Sequence, residues 1–113
     1  METIFYLQGN ALMVQLSGEI DHHVADRLRC DIDSELEFYG AKDLIFDFSH
    51  VEFMDSSGIG MVFGRYKKVK ARGGTVMIRN AGRLVRQILD MAGVFSLIAY
   101  EETVDEQGGR YGE

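Results

Sequence analysis

The stretch Asp43-Leu44-Ile45-Phe46-Asp47-Phe48 constrains this chain more than any other. Its almost unbroken apolar run reads as a strand buried on both faces, the kind found in parallel sheets covered by helices. Segments of helical period flank it. From about His22 to Tyr39, Val24, Leu28, Ile32 and Leu36 recur every four residues, with Ala25 and Cys30 beside the stripe. Asp26, Arg27, Arg29, Asp33 and Glu37 are left to face water. From about Ser57 to Ala71, Ile59, Val62, Phe63, Tyr66 and Val69 keep helical spacing. A buried strand between two amphipathic helices demands an α/β fold.

The remaining segments extend that plan. Thr3 to Leu7 and Ala11 to Leu16 read as two strands joined by a Gly9-Asn10 turn. Ser17 to Ile20 reads as a connector, and Asp21 stands where a helix should start, its carboxylate able to accept first-turn N–H groups. Gly40 ends the first helix, and Gly73-Gly74 end the second. Thr75 to Ile78 is a strand, Gly82 to Ala92 a helix with Leu84, Val85, Ile88 and Leu89 inward, and Phe95 to Tyr100 a weaker edge strand. Glu101 to Glu106 is expected to form a short last helix, with Gly108 to Glu113 a frayed tail. The order β-β-α-β-α-β-α-β predicts one domain over residues 1–107 and a flexible tail over 108–113. Its mixed sheet has four to five strands, parallel through the later ones, packed with three to four helices.

Composition narrows the function. A chain of 113 residues supports one core, and its formal charge of −6 argues against direct nucleic-acid binding. The basic run Arg65, Lys67, Lys68, Lys70 and Arg72 reads as a solvated helix face that complements the negative end of the helix dipole. No apolar run approaches the about 20 residues that span a bilayer. Met1 to Tyr6 lack the basic and cleavage features of a signal peptide, so a cytoplasmic protein without membrane attachment is expected. Cys30, the single cysteine, is expected to be a buried, inert thiol.

In open α/β sheets, loops at the carboxyl ends of parallel strands form the working surface. That rule places the Ser17–Asp21 and Asp47–Ser57 connectors on one edge, with Asp21 and Ser56 as neighbours. In Phe53-Met54-Asp55-Ser56-Ser57-Gly58-Ile59-Gly60, the serine pair falls at the amino end of a helix. Serine there either caps the helix or accepts a phosphate, and the residues alone leave both readings open. A hydrolytic nucleophile is disfavoured: the elbow pattern G-x-S-x-G is missing, and no spacing ties His22, His23 or His50 to Ser56. Gly58, Gly60 and Gly64 lack the G-K-[ST] ending of a phosphate loop and are expected to let the helix pack close to the sheet. His22 and His23 are adjacent and so cannot share a metal as an i, i+4 pair would; one is expected to pack or cap and the other to face solvent.

Three segments resemble bacterial anti-sigma factor antagonists in the same order. Gly18-Glu19-Ile20-Asp21-His22-His23 is similar to that family's G-E-[LI]-D-H-H segment. Phe53 to Gly60, followed by Gly64-Arg65-Tyr66-Lys67, looks like its phosphorylation segment, and Asp90-Met91-Ala92-Gly93-Val94-Phe95 like its D-M-[SA]-G-[LV]-F stretch. The D-H-H pair points to the sporulation branch, which acts on the sigma F pathway. The resemblance implies a STAS domain with no catalytic site. It also implies a partner switch in which the unphosphorylated antagonist binds an anti-sigma factor that is also a serine kinase, so freeing a sigma factor. Phosphorylation releases the antagonist and a serine phosphatase resets it. ATP and magnesium belong to the kinase, so the chain itself needs no cofactor. By position, Ser56 is the implied phosphoacceptor, and Asp21, Asp55, Ser56, Ser57 and Gly58 the implied partner-binding residues. The segment after Tyr100 is short and glycine-rich beside the family's last helix. Two alternatives stand beside this reading: an antagonist in a stress-response partner switch, and a small nucleotide-binding or hydrolysing protein.

Overall fold

The computed structural model describes residues 2–103. Strand β1 (Glu2–Gln8) turns through Gly9-Asn10 into β2 (Ala11–Ile20), which leads to helix α1 (His22–Tyr39). Strand β3 (Asp43–Met54), helix α2 (Ser56–Ala71), strand β4 (Val76–Arg79) and helix α3 (Arg83–Met91) follow. A 3-10 turn (Val94–Ser96) and strand β5 (Ala99–Glu101) complete the described part. The five strands lie in the order β1-β2-β3-β4-β5, with β1 antiparallel to β2 and every other pair parallel. The expected α/β architecture is therefore present, with five strands and three α-helices among the described residues.

The hairpin turn is tight because Gly9 takes φ 62°, the left-handed value a two-residue connection needs at its first central position. Leu12, Val14 and Leu16 of β2 share one face of the sheet with Leu44, Phe46 and Phe48 of β3 and with Val76 and Ile78 of β4. Against that face pack Leu28, Ile32 and Leu36 of α1, Met61, Val62 and Val69 of α2, and Val85 and Leu89 of α3. Each such Val, Leu, Ile, Met or Phe contributes about 1.5–3 kcal/mol by leaving water. The other face carries a polar row, Gln15, Asp47, Arg79 and Glu101, in register across four strands, with Arg79 and Glu101 ion-paired. Among the described residues no helix is long and apolar enough to cross a membrane.

Several expectations are corrected. In β3, Ile45 and Asp47 are only half-buried while Leu44, Phe46 and Phe48 are buried, so burial alternates instead of being equal on both faces. Ser17–Ile20 is strand, not connector, and β3 continues to Met54; the two extensions pair with each other, Ile20 opposite Met54. Register shifts between Gln15 and Ser17 and between Gly18 and Glu19 break the period-two pattern that would have revealed this. The expected strand Phe95–Tyr100 begins only at Ala99. Val94 and Ile98 are both buried one turn apart, with the Ile98 N–H donating to the Val94 carbonyl at 2.9 Å, and this turn displaces the strand. Leu84 is 51% exposed while Val85 and Leu89 turn inward. Cys30 is exposed, two positions from both Leu28 and Ile32 of the buried stripe and so turned away from it. Of the expected last helix, Glu101 ends β5, Glu102 and Thr103 are irregular, and the rest lies outside the described residues, as do the tail and its boundary.

The basic run is not wholly solvated. Arg65 is buried because it lies on the same side of α2 as Val62 and Val69, facing α1. There its Nε stands 2.8 Å from Asp33 Oδ1, and Lys68 Nζ stands 2.7 Å from Asp33 Oδ2. Burial pushes the Arg65 guanidinium below its ordinary value, and Asp33 opposes that shift. Asp33, assigned to solvent by its charge, is thus a tie between the two helices. Lys67 and Lys70 remain exposed.

Candidate functional site

The ends of β2 and β3 are locked together. Ile20 lies opposite Met54, and the Asp55 N–H donates to the Ile20 carbonyl at 3.1 Å. The next residue on each strand is an aspartate that starts a helix. Asp21 Oδ1 accepts the Val24 N–H at 2.9 Å; Asp55 Oδ1 accepts the Ser57 N–H at 2.9 Å and the Gly58 N–H at 3.4 Å. Both aspartates have extended backbone, as N-cap residues require. The expected adjacency of the two loops is present, and each connector is a single capping residue.

This assigns the cap differently from the sequence. Neither Ser56 nor Ser57 caps α2; Asp55 does, and Ser56 is the first helical residue. Position explains the exchange: a capping side chain must reach back to N–H groups two and three residues ahead, which Asp55 does from outside the helix and Ser56 cannot. Ser56 is exposed, and its hydroxyl makes no side-chain hydrogen bond among the described residues. Ser57 and Asp55 are half-buried and Gly58 is buried.

Gly58 holds the helix start down. A Cβ there would lie 3.0 Å from Met54 Cβ and 3.1 Å from Ile20 Cγ2, both fully buried side chains. Gly60 and Gly64, expected to serve the same purpose, do not approach the sheet: a Cβ at either would meet nothing within 4 Å.

The electrostatic character of the corner is acidic. The Val24 N–H bond is the main influence holding the Asp21 carboxyl below its usual value, slight burial opposes it, and the His23 and His22 rings add to the lowering. Both histidines are exposed, with ring centroids 4.0 Å apart, so neither packs into the core or caps the helix. Among the described residues no group of His, Cys, Asp or Glu is placed to hold a metal ion. Cavities of about 350, 450 and 300 Å³ lie between α1 and α2, beside α3 and β5, and beneath β1, none lined by Asp21, Asp55 or Ser56.

Two surface residues escaped the sequence reading. Glu19 and Phe53 face each other across β2 and β3 one residue before Ile20 and Met54, both exposed, Phe53 by 42%. They add an apolar ring and a further carboxylate to this edge. The run Phe53-Met54, one side chain out and one in, was the available signal, but it was hidden inside a presumed loop.

Comparison with known proteins matches the STAS domain family over residues 4–107. An anti-sigma F factor antagonist of Paenibacillus polymyxa is 36% identical over 87 residues, 77% of this chain and 74% of that one. An anti-sigma-B factor antagonist of Bacillus subtilis is 34% identical over 89 residues, 79% of this chain and 80% of that one. Two solved structures have the same fold. One is the anti-sigma factor antagonist SpoIIAA in its unphosphorylated form, with a TM-score of 0.72 and 25% identity over 94% of this chain and 93% of that one. The other is the Bacillus cell fate determinant SpoIIAA in the phosphorylated form, with a TM-score of 0.69 and 28% identity over 94% of both chains.

Proposed function

The chain belongs to the STAS-domain family of anti-sigma factor antagonists, and from that premise we propose that it is the unphosphorylated partner of an anti-sigma factor that is also a serine kinase. Binding displaces a sporulation sigma factor from the kinase. Phosphorylation of Ser56 ends the complex, and a serine phosphatase restores it. The γ-phosphoryl group passes from ATP, held with magnesium by the kinase, to the Ser56 oxygen, which loses its proton; ADP leaves. Asp21, Asp55, Ser56, Ser57 and Gly58 form the contact, in the cytoplasm and without nucleic acid.

One observation carries this reading: Asp55 takes the capping task, so the exposed Ser56 hydroxyl is uncommitted at a helix amino end. A phosphoserine there gains about −1.5 to −2 charges. The helix dipole offsets that charge by about 0.3–1 kcal/mol, so the fold tolerates it. Binding does not. A thousandfold loss requires about 4 kcal/mol, which like charge and desolvation at a contact surface supply. Asp21 and Asp55 beside Ser56 already make this corner negative, and phosphate deepens that field. That SpoIIAA has been solved in both phosphorylated and unphosphorylated forms with this chain's fold agrees with a switch that leaves the domain folded.

The test is a reaction with the kinase and labelled ATP, followed by mass-spectrometric mapping and a binding measurement. Label on Ser56 with loss of the complex is expected; label on Ser57, or equal affinity for both forms, overturns the proposal. The likeness to an anti-sigma-B factor antagonist, at 34% identity against 36% for the sigma F relative, supports a second reading in which the released sigma factor serves stress. Pull-downs with each kinase separate the two.

A further inference from the structure

We propose that β1 is a self-association edge, through which two copies of this chain join their sheets across a two-fold axis at Phe5. Among the described residues β1 ends the sheet and pairs with β2 alone. The two-residue turn makes Gln8 and Ala11 the closing hydrogen-bonded pair. By the alternation of an antiparallel ladder, Gln8, Tyr6, Ile4 and Glu2 then direct their N–H and C=O groups to β2. Thr3, Phe5 and Leu7 direct theirs outward, to an edge with no strand beyond it among the described residues.

Natural edges of this length carry protection: a lysine, a proline, a bulge, or a covering element. β1 carries none of the first three. Its only charge is Glu2 at one end, and the register shifts of the sheet fall in β2 and β3. Ile4, Tyr6 and Leu7 are 54%, 39% and 43% exposed. The opposite edge, β5, is three residues long.

The strand complements itself. In an antiparallel pair centred on Phe5, Thr3 of one copy faces Leu7 of the other, and every outward N–H of both strands meets a carbonyl. Ile4 faces Tyr6, burying an aliphatic–aromatic pair twice over, and Glu2 faces Gln8, so no like charges are opposed. The arrangement is isologous and closes at two copies. Ser56 begins α2 at the end of β3, beyond β2, so pairing at β1 leaves that corner free in both copies.

Analytical ultracentrifugation of the full chain over a concentration series tests this. Wild type should show a monomer–dimer equilibrium. The double variants I4K/Y6K and I4E/Y6E change exposed side chains on the face without helices, so melting should stay near wild type. Each should dimerise at least about tenfold more weakly alone, because like charges then oppose. Mixing the two variants should restore dimer, since introduced lysines meet introduced glutamates. A wild type monomeric at every concentration, variants that dimerise as well as wild type, or a mixture that stays monomeric would each overturn the proposal.

Discussion

Three glycines on α2 provide a test in which the sign of the effect follows from the packing. Replacing helical glycine by alanine stabilises by about 0.5–1 kcal/mol when space permits, because alanine restricts the unfolded chain more. At Gly60 and Gly64 an added Cβ meets nothing within 4 Å, so each alanine variant should gain that amount. At Gly58 the new Cβ would stand 3.0 Å from Met54 Cβ and 3.1 Å from Ile20 Cγ2. Neither neighbour can yield freely, since both lie in the core at 1% and 0% exposure. Overpacking of this kind costs about 1–3 kcal/mol, and the helix gain is reduced in the first turn. The net expectation is a loss of about 1 kcal/mol for Gly58→Ala, or about 4 °C in melting temperature. Urea unfolding followed by circular dichroism measures all three variants on one scale. A Gly58→Ala protein more stable than wild type would refute the argument that Gly58 seats the helix on the ends of β2 and β3. Losses at Gly60 or Gly64 would refute the claim that those positions are open.

Ser56→Asp should retain wild-type circular dichroism and melting within about 1 kcal/mol while binding the anti-sigma kinase about a thousandfold more weakly by calorimetry; an unfolded variant would move the switch from the surface into the fold. Asp55→Ala removes the cap from α2 and should cost about 1 kcal/mol by urea titration, most of it recovered in Asp55→Ser. Asp33→Asn leaves the buried Arg65 without its counter-charge and should cost about 2–3 kcal/mol, below the range for fully buried pairs because Asp33 keeps 24% of its side chain exposed. The Asp21 carboxyl titrates below its usual value in the folded protein, so its contribution to stability is present above the unfolded pKa of about 3.9 and lost as pH falls through the lower folded value. Asp21→Asn should flatten the acid limb of the stability–pH curve over that window.

The helices and the element order were legible because burial here follows period. Leu28, Ile32 and Leu36 repeat every four residues and all three are buried. Asp21 was legible as a cap because its type and place agreed. What escaped reading had a tertiary cause. The strand ends Ser17–Ile20 and Ser49–Met54 pair through register shifts, which no single-strand alternation can express. Arg65 is inside only because Asp33 of another helix meets it, a partnership between residues with no local signal. At the strand ends, the rule for parallel sheets correctly brought the segment at Asp21 beside the segment at Asp55–Ser57. Choosing between Asp55 and the serines as the cap depended on where β3 stops, and the apparent loop concealed that.

Because the strand-to-helix connection before Ser56 is the single residue Asp55, the Ser56 oxygen is mounted on a corner without slack. It cannot swing out on a tether toward a recessed catalytic cleft, as residues of long surface loops do. Under the proposed role of Ser56, a kinase must therefore bring its own groups up to a rigid, assembled surface, and must recognise neighbours drawn from both strand ends instead of a linear run of sequence. Under that proposal, substrate and binding partner are read as one shape, which ties the act of modification to the complex that it ends.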